Sequence, residues 1–318
     1  MLRIKNILDK LKKQDQQDYG VAVFDIDLEV TKKGVFIFGE VLIENQKDKV
    51  LELLKKENIE IANEKIKVLS DVSKRYEIGW VVVKAKIADL KSRFVSEKNI
   101  NENILKRIRC SQAFKGEILR VLYKNEDQLL VQQNDLTLGW INKNEVIVKK
   151  ESFYKEWKKG NYAIKDKLIK SKVSIDVTIK EAEKYLGSKY LLGGKTKNGI
   201  DCSALIQIVY KNSLGIVLPK HSWDQKKIGK KVDLKDIETG DLIFLIKKNN
   251  KHKHVGIVEV LLEGIAKRNY SSKGTMELSD RSNINLIHAS LDQKKVIRQD
   301  LKKVFEDYDF VEAKRVIL

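Results

Sequence analysis

One stretch constrains this chain more than any other: Tyr190-Leu-Leu-Gly-Gly-Lys-Thr-Lys-Asn-Gly-Ile-Asp-Cys-Ser-Ala-Leu205. A glycine-rich turn runs into Asp201, Cys202 and Ser203. Ala204, Leu205, Ile208 and Val209 then recur at helical spacing, which predicts a helix over 202–212. Cys202 falls at its first turn, under unpaired N–H groups and the positive end of the helix dipole. That environment is expected to lower the thiol pKa and favour the thiolate. A buried, inert cysteine is the alternative. Two histidines downstream favour the reactive reading. His254 opens the strand-like run His-Val-Gly-Ile-Val-Glu-Val260, and His288 lies in Leu-Ile-His-Ala-Ser290. A thiol nucleophile needs a base, and the base needs a partner to orient it. A cysteine at a helix start with two histidines on later strands supplies these three in the papain-like order.

Several further segments fall in a recognisable sequence around these three. Ile179, Ala182, Tyr185, Leu186 and Gly187 form a helix-like pattern over 177–187, and Tyr190, Gly193 and Gly194 precede Gly199-Ile-Asp-Cys-Ser203. Leu218-Pro219, Gln225, Gly240-Asp-Leu-Ile-Phe244, His254-Val-Gly256 and His288-Ala289 follow. Together they make residues 175–318 resemble the NlpC/P60 family of cysteine peptidases, which cleave bacterial cell-wall peptides. The resemblance implies a papain-like catalytic domain of α+β class. In it Cys202 is the nucleophile, His254 the general base and His288 the residue that orients His254. It also implies that the Tyr190 hydroxyl joins the Cys202 N–H in holding the oxyanion. Asp201 is a natural helix N-cap, and in relatives of the dipeptidyl-peptidase VI type the matching aspartate binds the free α-amine of the substrate. Ser203 is a candidate to assist in substrate binding or to cap.

Two departures stand out. Ala204 occupies a position where the family has Gly, a change a helix accepts well. The 34 residues from His254 to His288 exceed the family's usual spacing, and 263–283, rich in Lys, Arg, Ser, Gly and Asn, reads as an inserted surface loop.

Upstream, Ile4, Ile7, Leu8 and Leu11 share one face of a basic amphipathic helix. Its apolar stripe is short, which favours docking on its own domain over lying on a membrane. Alternating runs at 20–30 and 34–43, a helical pattern at 46–57 and a strand at 65–70 make an N-terminal α+β module over 1–77. Short strands recur every 8–12 residues over 78–149, which suggests a small β-barrel. That segment resembles the bacterial SH3-like domains that precede NlpC/P60 domains, where they narrow the groove and help to hold the substrate's amino terminus. Asp135-Leu-Thr stands where those domains carry Asp-Gly-Tyr before Gly139-Trp140, so no tyrosine is expected from that loop. Residues 150–174 read as a linker.

The formal net charge of +18 points to anionic partners, but interleaved aromatics, zinc spacing and a recognition helix are missing, so nucleic acid is not an expected partner. His221 and the His252/His254 pair lack the cysteine or carboxylate cluster that would complete a metal site, and neither metal nor other cofactor is expected. Cys110 and Cys202 could pair, but a catalytic Cys202 must be free, and two cysteines in 318 residues suit a reducing compartment. No signal peptide or membrane span is evident, so a cytoplasmic location is expected, or a secreted or wall-associated one if a leader precedes this sequence. The expected function is hydrolysis of γ-D-glutamyl–diamino acid bonds in murein peptides, above all free-amine L-Ala-γ-D-Glu peptides in recycling. An amidase or acyltransferase on the same fold, and a non-catalytic wall- or peptide-binding protein, are the competing readings.

Overall fold

The computed structural model describes residues 2–19, 23–31, 34–96, 99–159, 175–261 and 284–316. The expected insertion at 263–283 and most of the expected linker lie outside these residues. The chain divides into two compact units, Met1–Lys158 and Lys159–Leu318.

In the first unit, α1 (Leu2–Tyr19) sets Leu8 into a core shared with Ile4 and Leu11, so its apolar stripe is spent on its own unit. The strands β1 (Phe24–Thr31) and β2 (Gly34–Val41) pair antiparallel, whereas β2 and β3 (Ile61–Val68) run parallel. A parallel pair needs a crossover, and α2 (Glu44–Lys56) provides it, with Val50 and Leu54 fully buried. The Gln46 side-chain oxygen Oε1 accepts from the N–H groups of Leu42 and Ile43 at 2.8 and 3.0 Å and closes the helix start. β3 begins four residues before the strand expected from sequence.

Seven further strands form one antiparallel sheet. They are β4 (Gly79–Val83), β5 (Ile87–Lys91), β6 (Arg109–Phe114), β7 (Ile118–Lys124), β8 (Gln128–Gln132), β9 (Leu138–Asn142) and β10 (Val146–Lys149), in the order β10-β4-β7-β8-β9-β5-β6. A short helix, α3 (Glu102–Ile108), leads into β6. The strands expected over 78–149 are present, but the closed barrel is not. Among the described residues no ladder joins β10 to β6, and β5 meets β9 through the single pair Lys91↔Trp140. Irregularities at Leu90/Lys91 and Val121/Tyr123 bend the sheet without closing it.

The two sheets share a cluster of Val23, Leu42 and Leu69 with Leu122, Leu130 and Trp140. Arg120, fully buried, bonds Glu77, Gln132 and the carbonyls of Asp71 and Lys74. Residues 154–159, expected as linker, are instead the helix α4 (Tyr154–Lys159). Its Trp157 is buried edge-on to Trp80 and donates its indole N–H to the Gln132 carbonyl.

The second unit is built on a six-stranded antiparallel sheet. Its strands are β13 (Lys230–Val232), β14 (Leu242–Lys247), β15 (Lys253–Val260), β16 (Ile284–Ser290), β17 (Lys295–Asp300) and β18 (Tyr308–Arg315), ordered β13-β18-β14-β15-β16-β17. Before it come α5 (Asp176–Glu183), the hairpin of β11 (Lys195–Thr196) and β12 (Gly199–Ile200), α6 (Cys202–Leu214) and α7 (Ser222–Gln225). The last helix, α8 (Leu301–Asp307), lies between β17 and β18. Because side chains alternate along a strand, Phe244, Val255, Ile257, Ile287 and Ala289 pack in one core with α6, while Ile243, Leu245, Val258 and Leu286 pack in another with α8. Both faces are therefore buried. α6 ends at Gly215 in the left-handed conformation, φ 69°, the usual role of glycine at a helix C-terminus.

Candidate active site

Asp201 is the N-cap of α6. Its Oδ1 accepts from the Ala204 N–H at 2.8 Å, as a capping aspartate should. The turn before it brings Gly194 so close to Gly199 that an added Cβ would lie 2.5 Å from the Gly199 carbonyl oxygen, which accounts for glycine there. Cys202 is thereby fixed as the first residue of α6, 6% exposed and free. Cys110 is likewise in no disulfide and lies in the other unit, so the disulfide alternative is not realised.

The lowered thiol pKa expected from the helix dipole is not what the site produces. Burial, and then the Asp201 charge, push the Cys202 thiol up to about 12. Lys220 and the backbone N–H groups of Val255 and Ser203 pull the other way but do not prevail. Desolvation outweighs the dipole because the sulfur is sealed from water. Cys202 rests as a thiol.

His254 and His288, 34 residues apart, stand on adjacent strands. His254 Nε2 and His288 Nδ1 are 2.7 Å apart, with ring centroids at 4.9 Å. On the next strand, Gln299 Oε1 lies 3.2 Å from His288 Nε2. Register explains the row: Ile257 pairs with Ile287 and Leu286 with Gln299, so the three side chains share one face. Both rings are almost wholly buried. Burial, helped by His288, His252 and Lys247, holds His254 well below the usual histidine range. Burial takes His288 to about 4 against the opposing pull of Gln299 and Asp292. Both imidazoles are neutral near neutral pH. Among the described residues His254 Nδ1 has no hydrogen-bond partner. The Tyr308 ring stacks on His254 at 5.0 Å, and Lys247, paired with Asp292, sits over the Tyr308 ring at 5.1 Å. The sulfur of Cys202 meets this group at the backbone N–H of Val255, the residue after His254.

Tyr190 is bridged to Ile200 and packs on the same core as Cys202. Burial, followed by the charges of Cys202 and Asp201, raises its phenol pKa, so the hydroxyl keeps its proton and remains a donor. Ser203 Oγ donates to Asp201 Oδ1 at 3.1 Å. Sequence reasoning missed Lys220. It is 2% exposed, and its ammonium lies 2.9 and 2.7 Å from the two Asp201 oxygens and 3.3 Å from Ser203 Oγ. With the Gly193 N–H on Oδ2 at 2.8 Å, Asp201 accepts five contacts, more than the roughly four lone-pair sites of a carboxylate, so no acceptor site is left over. Burial alone would raise its pKa, but Lys220 and the N–H groups of Ala204 and Gly193 hold it below the usual range. Asp201 is thus filled from within, which counts against the expected role in binding a substrate amine. The only trace of Lys220 in the sequence is a lysine directly after Leu218-Pro219. Gln299 and Tyr308 also escaped notice.

His221 caps α7 through its carbonyl, and His252 stands near His254 with its pKa lowered, chiefly by burial. Among the described residues no group of three or more His, Cys, Asp or Glu is placed to hold a metal ion, and none of their helices is long and apolar enough to cross a membrane.

Residues 187–315 match the NlpC/P60 family model, and that part of the chain carries an NlpC/P60 domain. Three relatives illustrate the likeness. The murein DD-endopeptidase MepS/murein LD-carboxypeptidase of Escherichia coli K12 is 37% identical over 87 residues, 26% of this chain and 46% of that protein. The gamma-DL-glutamyl hydrolase of Bacillus subtilis 168 is 32% identical over 152 residues, 45% of this chain and 35% of that protein. The gamma-D-glutamyl-L-lysine dipeptidyl-peptidase of the same organism is 39% identical over 75 residues, 23% of this chain and 25% of that protein. The chain thus spans less than half the length of these relatives.

Proposed function

We propose that this protein is a cysteine peptidase that hydrolyses the γ-D-glutamyl–diamino acid bond of murein peptides. The observation that carries the reading is the buried His254–His288 pair, together with a Cys202 thiol that opens α6 and meets the backbone N–H of Val255, the residue after His254. The γ-D-glutamyl specificity is taken from the names of the two Bacillus subtilis relatives.

In this reading Cys202 Sγ attacks the γ-carbonyl carbon as His254 Nδ1 takes the thiol proton. Because the thiol rests protonated and the imidazole neutral, proton transfer accompanies attack instead of preceding it. The oxyanion is met by the Cys202 N–H and the Tyr190 hydroxyl. Protonated His254, still bonded to His288, passes its proton to the leaving amine of the diamino acid. Water, deprotonated by His254, then cleaves the thioester and releases the γ-glutamyl product. Asp201 and Ser203 shape the turn that presents Cys202, and Lys220 neutralises Asp201. The free-amine requirement expected from sequence is therefore replaced by cleavage that does not depend on the substrate's α-amine. The antiparallel strands of 79–149 are read as an SH3-like, peptide-binding module.

The test is incubation of the full chain with L-Ala-γ-D-Glu-diaminopimelate, its N-acetylated form and purified sacculi, followed by mass spectrometry. Release of the diamino acid supports the proposal. Cleavage only at D-Ala–diaminopimelate cross-links in the sacculi would replace it with a DD-endopeptidase reading.

A further inference from the structure

We propose that Gln299 is a positioning residue that sets the tautomer of His254 through His288 and so leaves Nδ1 of His254 free to accept a proton. The argument follows hydrogen-bond parity. A neutral imidazole has one N–H and one bare nitrogen. Gln299 presents its carbonyl oxygen to His288 Nε2 at 3.2 Å, and a carbonyl only accepts, so that nitrogen carries the hydrogen. His288 Nδ1 is then bare and must accept across the 2.7 Å contact from His254 Nε2. The His254 hydrogen is therefore on Nε2, and its Nδ1 is bare. Among the described residues that nitrogen is the one ring nitrogen of the pair without a partner.

Reversing the Gln299 amide reverses every member of the row. Its NH2 would donate to a bare His288 Nε2, His288 Nδ1–H would donate to His254, and His254 Nδ1 would carry a hydrogen and could not act as a base. One amide two strands away thus decides whether His254 is competent. The ladder holds it there, because Leu286 pairs with Gln299 and His288 with Ile297, which puts Gln299 on the His288 face and diagonal to it. A neutral amide suits the task better than a carboxylate. A carboxylate would favour the doubly protonated His288, whose Nδ1–H would then compete for the contact with His254. Lys247, Asp292, His252 and Tyr308 also surround the pair, but none of them bonds His288 Nε2.

The test reads the tautomer directly. The chain has four histidines, so ring-15N-labelled protein gives few resonances, and His221→Gln and His252→Gln assign them by removal. Bare and protonated ring nitrogens resonate far apart. In the wild type near pH 7.5 the expected pattern is bare Nδ1 and protonated Nε2 on both His254 and His288. Gln299→Leu, which removes the acceptor, should mix the His254 tautomers. Gln299→Lys, a donor only, should reverse them. Gln299→Glu should keep the wild-type pattern at high pH and lose it as His288 gains a second proton. A protonated Nδ1 on wild-type His254, or a pattern unchanged in folded Gln299→Leu and Gln299→Lys, overturns the proposal.

The kinetic arm rests on the peptidase reading. There kcat should fall by about a hundredfold or more in Gln299→Lys, since a base in the wrong tautomer cannot take the proton, with KM little changed. Gln299→Glu should recover most of the activity at high pH. If the wild type cleaves no murein peptide but the tautomer pattern holds, the peptidase reading fails and this one stands.

Discussion

Asp201 precedes Cys202 and His254 precedes Val255, whose N–H the Cys202 sulfur meets; both are buried, yet the first has every acceptor site filled and the second has one nitrogen left open among the described residues. The Asp201 cluster is charged. It joins the turn at Gly193, the start of α6 and the loop at Lys220, and nothing in it is available to a substrate. The His254 row is neutral and runs across three strands to Gln299. A closed polar cluster fixes a shape; an open one can exchange a proton. The same unit thus holds a filled polar cluster and an open one. Satisfaction of hydrogen bonds, more than proximity to the nucleophile, tells them apart.

The sharpest break of this comparison is at the proposed nucleophile and its proposed base. Cys202→Ala and His254→Gln should each lower kcat by several orders of magnitude, while chemical denaturation midpoints stay near the wild-type value for the first. Retained turnover in purified Cys202→Ala would dissolve the contrast altogether.

Lys220→Met should do the opposite. It leaves the Asp201 carboxylate buried without its counter-ion, which costs about 3–5 kcal/mol, read as a lower urea midpoint. Adding Asp201→Asn should return much of that loss. If the double variant is no more stable than Lys220→Met, the pair does not act as a closed unit.

Acid should separate the two groups next. The folded His254 and His288 have depressed pKa values. Below the unfolded value of about 6.5 the unfolded chain takes up protons that the folded one refuses. Stability should therefore fall from about pH 6.5 downward, at about 1.4 kcal/mol per pH unit for each such histidine, ending near pH 4 for His288. The Asp201 carboxyl is also depressed. Its contribution is full above the unfolded value of about 3.9 and is lost only as pH falls through the lower folded value. His288→Asn should flatten the first window and leave the second. An unchanged slope between pH 6.5 and 4 would reject the depressed imidazole pKa.

The smallest expected effect concerns specificity. Free and N-acetylated Ala-γ-D-Glu-Lys should give nearly equal kcat/KM, because Lys220 already supplies the cation that Asp201 would otherwise seek. A preference for the free amine of about tenfold or more, of the size a charge-assisted contact provides, would restore Asp201 or another carboxylate as an amine site.

Much of this site is legible from sequence because its parts sit on local signals. Cys202 follows a capping aspartate and opens an apolar helix, and His254 and His288 sit in strand-like runs. Gln299, Tyr308 and Lys220 are not legible, since register and loop closure, not sequence neighbours, bring them to the site. The direction of the thiol pKa is not legible either, because a dipole can be read from a helix start, whereas the burial that defeats it comes from distant strands. The fold shows the same division. Helices and strands follow from periodicity, but barrel closure does not. Nor does the cluster that joins Leu42 and Leu69 to Leu130 and Trp140, because both depend on long-range pairing.

The protonated rest state of Cys202 bears on the durability of the protein. Peroxide and alkylating agents attack thiolates, and a sulfur that is buried and keeps its proton near neutral pH offers them little. In the proposed mechanism the sulfur loses its proton only as it attacks a carbonyl carbon, so the reactive species is brief and already committed. A site arranged in this way gives up some standing nucleophilicity and gains chemical longevity. Iodoacetamide should label Cys202 slowly in the folded protein and quickly once the chain is unfolded.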